Sequence, residues 1–160
     1  MTPLAKLIGI TALLASGIDF DIGPAAPERD YGRTCLALVG FSEARDQDDA
    51  GLAMVMRVVI NRATDPLERW PRTLCDVALQ PGQFLGLDTW PTPRNPERID
   101  AASWQRALNM ADHVIAGDVD LPTSCSHATS FDQAPMRSMH AVCRIGAHTF
   151  YAEPLTAAVH

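Results

Sequence analysis

Phe41-Ser42-Glu43-Ala44-Arg45 is followed, beyond the acidic Asp46-Gln47-Asp48-Asp49, by Gly51-Leu-Ala-Met-Val-Met-Arg-Val-Val-Ile-Asn61-Arg62. In the second run Leu52, Val55, Met56, Val59 and Ile60 recur at helical spacing, which predicts a helix with a buried stripe. Asp48 and Asp49 put negative charge at its start, where unpaired backbone amides favour it. Glu43 closes an apolar segment, Cys35-Leu-Ala-Leu-Val-Gly-Phe41. A carboxyl group in oily surroundings loses hydration, so its charged form is disfavoured and its pKa is expected to rise. That condition keeps a general acid protonated near neutral pH. A surface glutamate at a helix end has the same local sequence, and the segment by itself leaves both readings open.

On either side of this stretch the pattern stays helical. Tyr31 to Ser42 predicts a first helix, and Asp65-Pro66 stops the second. Trp70-Pro71 marks a turn, and Thr73 to Leu79 reads as a helical turn or a strand. Gln80-Pro-Gly-Gln-Phe84 is a turn that presents a polar amide beside an aromatic ring. Leu85 to Ile99, with Trp90 embedded, reads as a long loop of the kind that often carries function. Asp100 caps the clearest helix, whose stripe is Trp104, Ala107, Leu108, Ala111, Val114 and Ile115 and which ends at Gly117. From Asp118 to Pro154 the chain is broken by Pro122, Pro135 and Gly146 and is expected to hold short strands. The expected class is α+β, mainly helical.

At 160 residues the chain suits one domain with its own core. Its 47% apolar and 20% charged content are those of an ordinary folded protein. A net charge of −6 argues against a nucleic-acid partner, whose footprint is a basic patch. Lys6 is the only lysine; the other basic residues are arginines, whose planar fork suits carboxylates. Residues 1–30 form an apolar N-terminal segment and a Pro-rich linker, 31–154 the domain, and 155–160 a tail. Within the first, Leu7 to Ile18 carries no charge and is too short to span a bilayer. It reads either as a weak export signal or, the preferred reading, as a retained helix packed on the domain or on a partner.

Four cysteines are too scattered for a small disulfide scaffold and lack zinc-site spacing. Cys125 and Cys143 are candidates for pairing in an oxidising compartment, whereas Cys35 and Cys75 read as buried thiols. His127, His140 and His148 share the C-terminal third, but no HExxH pattern occurs, and neither a metal nor another cofactor is expected. His113 reads as a partly exposed structural residue. No nucleophile elbow, local Cys-His signature or phosphate loop is present.

Taken together, Glu43-Ala-Arg45, Asn61-Arg62, Trp70-Pro71, Cys75-Asp-Val77, Gln80-Pro-Gly-Gln-Phe84 and Gly146-Ala-His-Thr-Phe-Tyr151 stand in a telling order. That order resembles the cell-wall hydrolase family typified by spore cortex-lytic enzymes, over Tyr31 to Tyr151. Similar domains occur in bacterial genomes and as phage lysis proteins. The resemblance implies a compact domain like lysozymes and lytic transglycosylases, with a small β element. It also implies peptidoglycan as the partner, cleaved in the periplasm or cell wall. Residues 4–18 would then be a contact for a phage particle or membrane, and a non-catalytic glycan-binding or particle component is the alternative role. The family motif is usually Glu-Ala-Arg-Gly-Glu; Glu43 matches its catalytic acid, while Asp46 and Gln47 replace the Gly-Glu pair. Phe41 stands where a Tyr is frequent, and Leu85 where a Ser is common.

Lytic transglycosylase chemistry needs one acid. It protonates the glycosidic oxygen between N-acetylmuramic acid and N-acetylglucosamine, then takes the proton of the muramic acid 6-hydroxyl as that oxygen closes on its own anomeric carbon. A true hydrolase would need a second carboxylate, for which Asp46, Asp48 and Asp49 are candidates whose simpler role is charging the next helix. Gln83 is assigned to an acetamido group, Phe84 or Trp90 to stacking on a sugar face, and His148 and Tyr151 to lining the groove or holding the C-terminal strand. Phe84 has core packing as its equal alternative. Asn61-Arg62 is expected to be architectural, with Arg62 pairing an acid or capping carbonyls.

Overall fold

A computed structural model describes residues 27–88 and 96–153. Trp90, the apolar segment 4–18 and the tail 155–160 lie outside the described residues. The first helix, α1 (Pro27–Ala44), is longer than the periodicity predicts. From Thr34 to Phe41 every side is buried, as expected of a helix that is apolar all round and enclosed by others. The second, α2 (Asp49–Ala63), packs along it. Asp48 starts α2 by accepting the Gly51 N–H at 2.8 Å, which satisfies one of the free amides of the first turn. The predicted stripe is buried apart from the partly covered Ile60, together with Ala53, Met54 and Val58. A Cβ at Gly40 would run into Met56 and Leu52, so the glycine sets the close approach of α1 to α2.

Thr73 to Leu79 resolves as a helical turn, α3 (Leu74–Ala78), capped by the Thr73 hydroxyl. The stretch expected as a long loop contains a short helix, α4 (Leu85–Asp88), and the beginning of α5 (Pro96–Ala116). Asp100 is extended, with φ −160°, and interrupts α5. Its carboxylate accepts the Ser103 N–H at 3.0 Å and the Ser103 hydroxyl at 2.6 Å, so it caps the main body of the helix as the sequence predicts. Trp104, Ala107, Leu108, Ala111 and Val114 face the core, and Ile115 is exposed. Gly117, with φ 77°, turns the chain out by donating to the carbonyls of His113 and Val114.

The last third carries a 3-10 turn (Thr123–Cys125) and strands β1 (Ser130–Asp132), β2 (His140–Ile145) and β3 (His148–Ala152). They form an antiparallel sheet in the order β1-β3-β2, with a bulge between Ala141 and Cys143. An α+β, mainly helical architecture results, with the core between α1, α2 and α5. One expectation is corrected: Cys35 and Cys75 are not free thiols but a disulfide joining α1 to α3. Apolar neighbours suit a disulfide as well as a thiol, so local sequence does not separate the two. The second disulfide, Cys125–Cys143, ties the 3-10 turn to β2, as the sequence allows.

Candidate active site

Between the helices and the sheet lies a cleft of about 470 Å³. Its walls include Glu43 and Arg62 from the last turns of α1 and α2, Gly82 and Gln83 from the turn, and Phe131, Asp132 and His148 from the sheet.

Glu43 is half-buried, and its Oε1 accepts the Gly86 N–H at 2.6 Å. A Cβ on Gly86 would meet the Ser42 carbonyl oxygen at 2.5 Å and Glu43 Oε1 at 3.0 Å. Only glycine lets α4 approach closely enough to hold this carboxylate by its backbone. The loop after Glu43 is held as well. Arg106 of α5 donates to the carbonyls of Arg45 at 3.3 Å and Gln47 at 2.9 Å and pairs with Asp49. Gln47 Oε1 accepts the Ala147 N–H at 3.0 Å, joining this loop to the β2–β3 turn. Position 47, where the chain leaves the expected motif, is therefore a link between helices and sheet. Asp46, Asp48 and Asp49 are absent from the cleft lining; Asp48 caps α2 and Asp49 pairs with Arg106.

Arg62 is 6% exposed. Its Nε donates to the Thr129 carbonyl at 2.6 Å and one terminal nitrogen to Gln83 Oε1 at 3.1 Å. The guanidinium also lies over the rings of Phe84 and Trp70, 5.3 and 5.7 Å from their centroids. Burial lowers its pKa to about 10, opposed by the field of Glu153, and it remains a cation at neutral pH. Next to it Asn61 donates to the carbonyls of Ser126 and Ala128. The Asn61-Arg62 pair thus fastens the end of α2 to the segment leading into β1, an architectural role in which Arg62 also reaches the cleft.

Gln83 and His148 share the cleft with Glu43, whereas Phe84 and Tyr151 do not line it. Phe84 is 1% exposed and packs behind the wall, its ring near Phe131 and under Arg62, so core packing accounts for it. Tyr151 is buried in β3 and its hydroxyl accepts the Met136 N–H at 3.0 Å, which holds one cleft residue in place. His148 is buried with its ring edge-on to Phe131 at 5.2 Å. Desolvation lowers its pKa, partly offset by the charges of Asp46 and Asp132. His113 is exposed and pairs with Asp118. Among the described residues no group of three or more His, Cys, Asp or Glu is arranged to hold a metal ion.

Sequence reasoning does not find Asp132, an acid of the sheet wall of the cleft, nor Gly86. Asp132 sits in a three-residue strand, too short for a periodic signal, and accepts the Ala134 N–H at 2.8 Å. The dipeptide Gly86-Leu87 carries no local mark of its contact with a residue 43 positions away.

A domain with this cleft and a backbone-held carboxylate has the parts of an acid–base enzyme. The family model described as Cell Wall Hydrolase matches residues 46–151, about two thirds of the chain, and the protein belongs to that family. The matched segment contains Arg62, Gln83, Asp132 and His148 and begins just after Glu43. No curated protein and no solved structure matches the chain.

Proposed function

We propose that the protein cleaves peptidoglycan glycan strands between N-acetylmuramic acid and N-acetylglucosamine as a lytic transglycosylase, on a lysozyme-like scaffold, with Glu43 as the single acid and base. The observation that carries the reading is Glu43 on the cleft wall, its carboxyl held by the Gly86 N–H at 2.6 Å. A fixed carboxyl is what two successive proton transfers at neighbouring oxygens require. Glu43 first gives its proton to the leaving glycosidic oxygen. The resulting carboxylate takes the proton of the muramic acid 6-hydroxyl as that oxygen bonds to the anomeric carbon, which yields a 1,6-anhydro end and consumes no water. The site of action is the cell wall.

One observation favours a second outcome. Asp132 supplies a second carboxylate to the same cleft, and a water activated there would give hydrolysis with a reducing end instead. Mass spectrometry of soluble products from purified sacculi separates the two, because the anhydro product is lighter by one water. Glu43→Gln should lower release by about 10²–10⁴-fold with the fold retained. Full activity in that variant would remove Glu43 from the chemistry, and binding to sacculi with no product from the wild type would indicate a glycan-binding module.

A further inference from the structure

Gln83 is exposed on the cleft wall, and which end of its amide faces the substrate is decided by its neighbour. A guanidinium carries donors only. The 3.1 Å contact from Arg62 therefore requires the Gln83 oxygen to face Arg62, which turns the NH₂ group away from it. Among the described residues nothing accepts from that NH₂ group. Arg62 cannot easily release its hold, because it is itself buried, bonded to the Thr129 carbonyl at 2.6 Å and packed against Phe84 and Trp70. Gln83 is confined from its own side too. Gly82, with φ 76°, turns the chain immediately before it, and the buried Phe84 anchors the chain immediately after.

We propose that Arg62 is a positioning residue that makes Gln83 a one-way hydrogen-bond donor, selecting glycans whose sugars carry N-acetyl groups over de-N-acetylated ones. The inference rests on the proposed glycan substrate and adds to it the polarity of one contact. An acetamido group offers a carbonyl oxygen to the Gln83 NH₂. A free glucosamine amine, protonated, offers only donors and meets a donor backed by the Arg62 cation. The two sugars differ by one small substituent, so discrimination falls to the group that reads it. A lost hydrogen bond at an open wall corresponds to about tenfold in affinity.

The test uses the full chain carrying Glu43→Gln, so that glycan is bound without being cleaved. Titration with an N-acetylglucosamine tetramer and with its fully de-N-acetylated counterpart should give a preference for the acetylated oligomer of about tenfold. Adding Gln83→Glu keeps the contact with Arg62, now as an ion pair, but presents acceptors to the cleft; the preference should fall at least threefold. Arg62→Lys keeps the charge but loses the fork that fixes the amide, and should lower the preference at least threefold as well, with Gln83→Met as the donor-free control. Thermal melts identify the variants that remain folded, and Gln83, being exposed, should tolerate both changes. A wild-type-like preference in the folded Gln83→Glu protein would overturn the donor role; the same result in folded Arg62→Lys would overturn the positioning role. Soluble product from sacculi with the parent protein, combined with no oligomer preference, would sink this inference and leave the proposed function standing. Absence of both would sink the two together.

Discussion

The two walls of the cleft are built differently. The helical wall presents Glu43 and Arg62 from the ends of two helices whose middles are buried in the core, so both side chains start from well-packed backbone. The sheet wall presents Asp132 and His148 from strands of three and five residues, and it gains rigidity from outside itself. Asn61 and Arg62 hold its lead-in segment, Gln47 holds its hairpin, and Cys125–Cys143 holds its outer strand. The contrast separates two tasks. On the proposed mechanism Glu43 has to stay within a fraction of an ångström of its place, and a helix packed in the core suits that task. A wall of short strands contributes surface and charge, and its position depends on a few identifiable ties.

The two disulfides test that contrast first. Cys35–Cys75 closes 40 residues of the helical half and Cys125–Cys143 closes 18 residues of the sheet half. Chain entropy alone predicts losses of about 4 and about 3 kcal/mol when each pair is changed to serine. Denaturant melts measure these, and the activity of the folded fraction adds the informative part. The sheet-side change should lower activity more than the helix-side change, although it costs less stability; the reverse order would mean that the sheet wall is not the one that depends on ties.

Gly86→Ala addresses the helical wall. The added Cβ would force α4 away from the Ser42 carbonyl and take the Gly86 N–H from Glu43. A displacement of this kind costs about 100-fold in rate. Stability should fall as well, by about 1–3 kcal/mol, because the clash is with backbone and the displaced helix carries the buried Leu87. Steady-state release of soluble glycan, measured beside a thermal melt, separates the two effects; activity within twofold of wild type would show that the backbone contact is dispensable.

The same contrast explains what could be read from the sequence. Helices with a full stripe, such as Leu52-Val55-Met56-Val59 and Trp104-Ala107-Leu108-Ala111, declare themselves because burial repeats with the helical period. Glu43 stands out as an acid beside such a run. Asp132 and the disulfide partner of Cys35 are fixed by contacts far apart in the chain and leave no periodic trace. Residues 85–88 illustrate the middle case. Leu85 and Leu87 sit among turn-forming residues, and the α4 turn forms because Leu87 finds a place in the core. Gln83 and Phe84 are adjacent in sequence yet divided by burial, one facing the cleft and the other the core, which a local motif cannot separate.

The seam between the halves offers a smaller effect. Asp65 is buried, accepts from the Arg69 side chain through both oxygens, and Arg69 continues to Glu153 beyond β3. The hydrogen bond from Arg69 is the main cause that lowers the Asp65 pKa to about 2, against an opposing desolvation effect. The folded value lies below the unfolded one, near 4. Between them the unfolded chain binds more protons, so the contribution is complete above about pH 4 and is lost as pH falls towards 2. Asp65→Asn should cost about 2 kcal/mol at neutral pH by weakening charged hydrogen bonds. It should also flatten the acid limb of the stability curve, and an unchanged acid limb would remove Asp65 as its source.

His148 gives the smallest effect, in a different pH window. Its folded pKa is lowered, chiefly by desolvation, so the neutral ring is the form that the sheet wall accepts. The unfolded chain takes up a proton near pH 6.5 while the folded protein does not. Stability from this residue is therefore complete above pH 6.5 and declines as pH falls through the lower, folded value, with a slope of at most about 1.4 kcal/mol per pH unit. Asp46 and Asp132 oppose the shift, which keeps the window narrow. His148→Phe retains a ring beside Phe131 and removes the proton. Urea melts between pH 5 and 7.5 should show the wild type losing stability towards the acid end and the variant holding it. Parallel curves for the two proteins would mean that the ring titrates alike in both states. A variant curve that is flat would assign the loss near pH 6 to the sheet wall, distinct from the Asp65 seam, whose loss begins only below about pH 4.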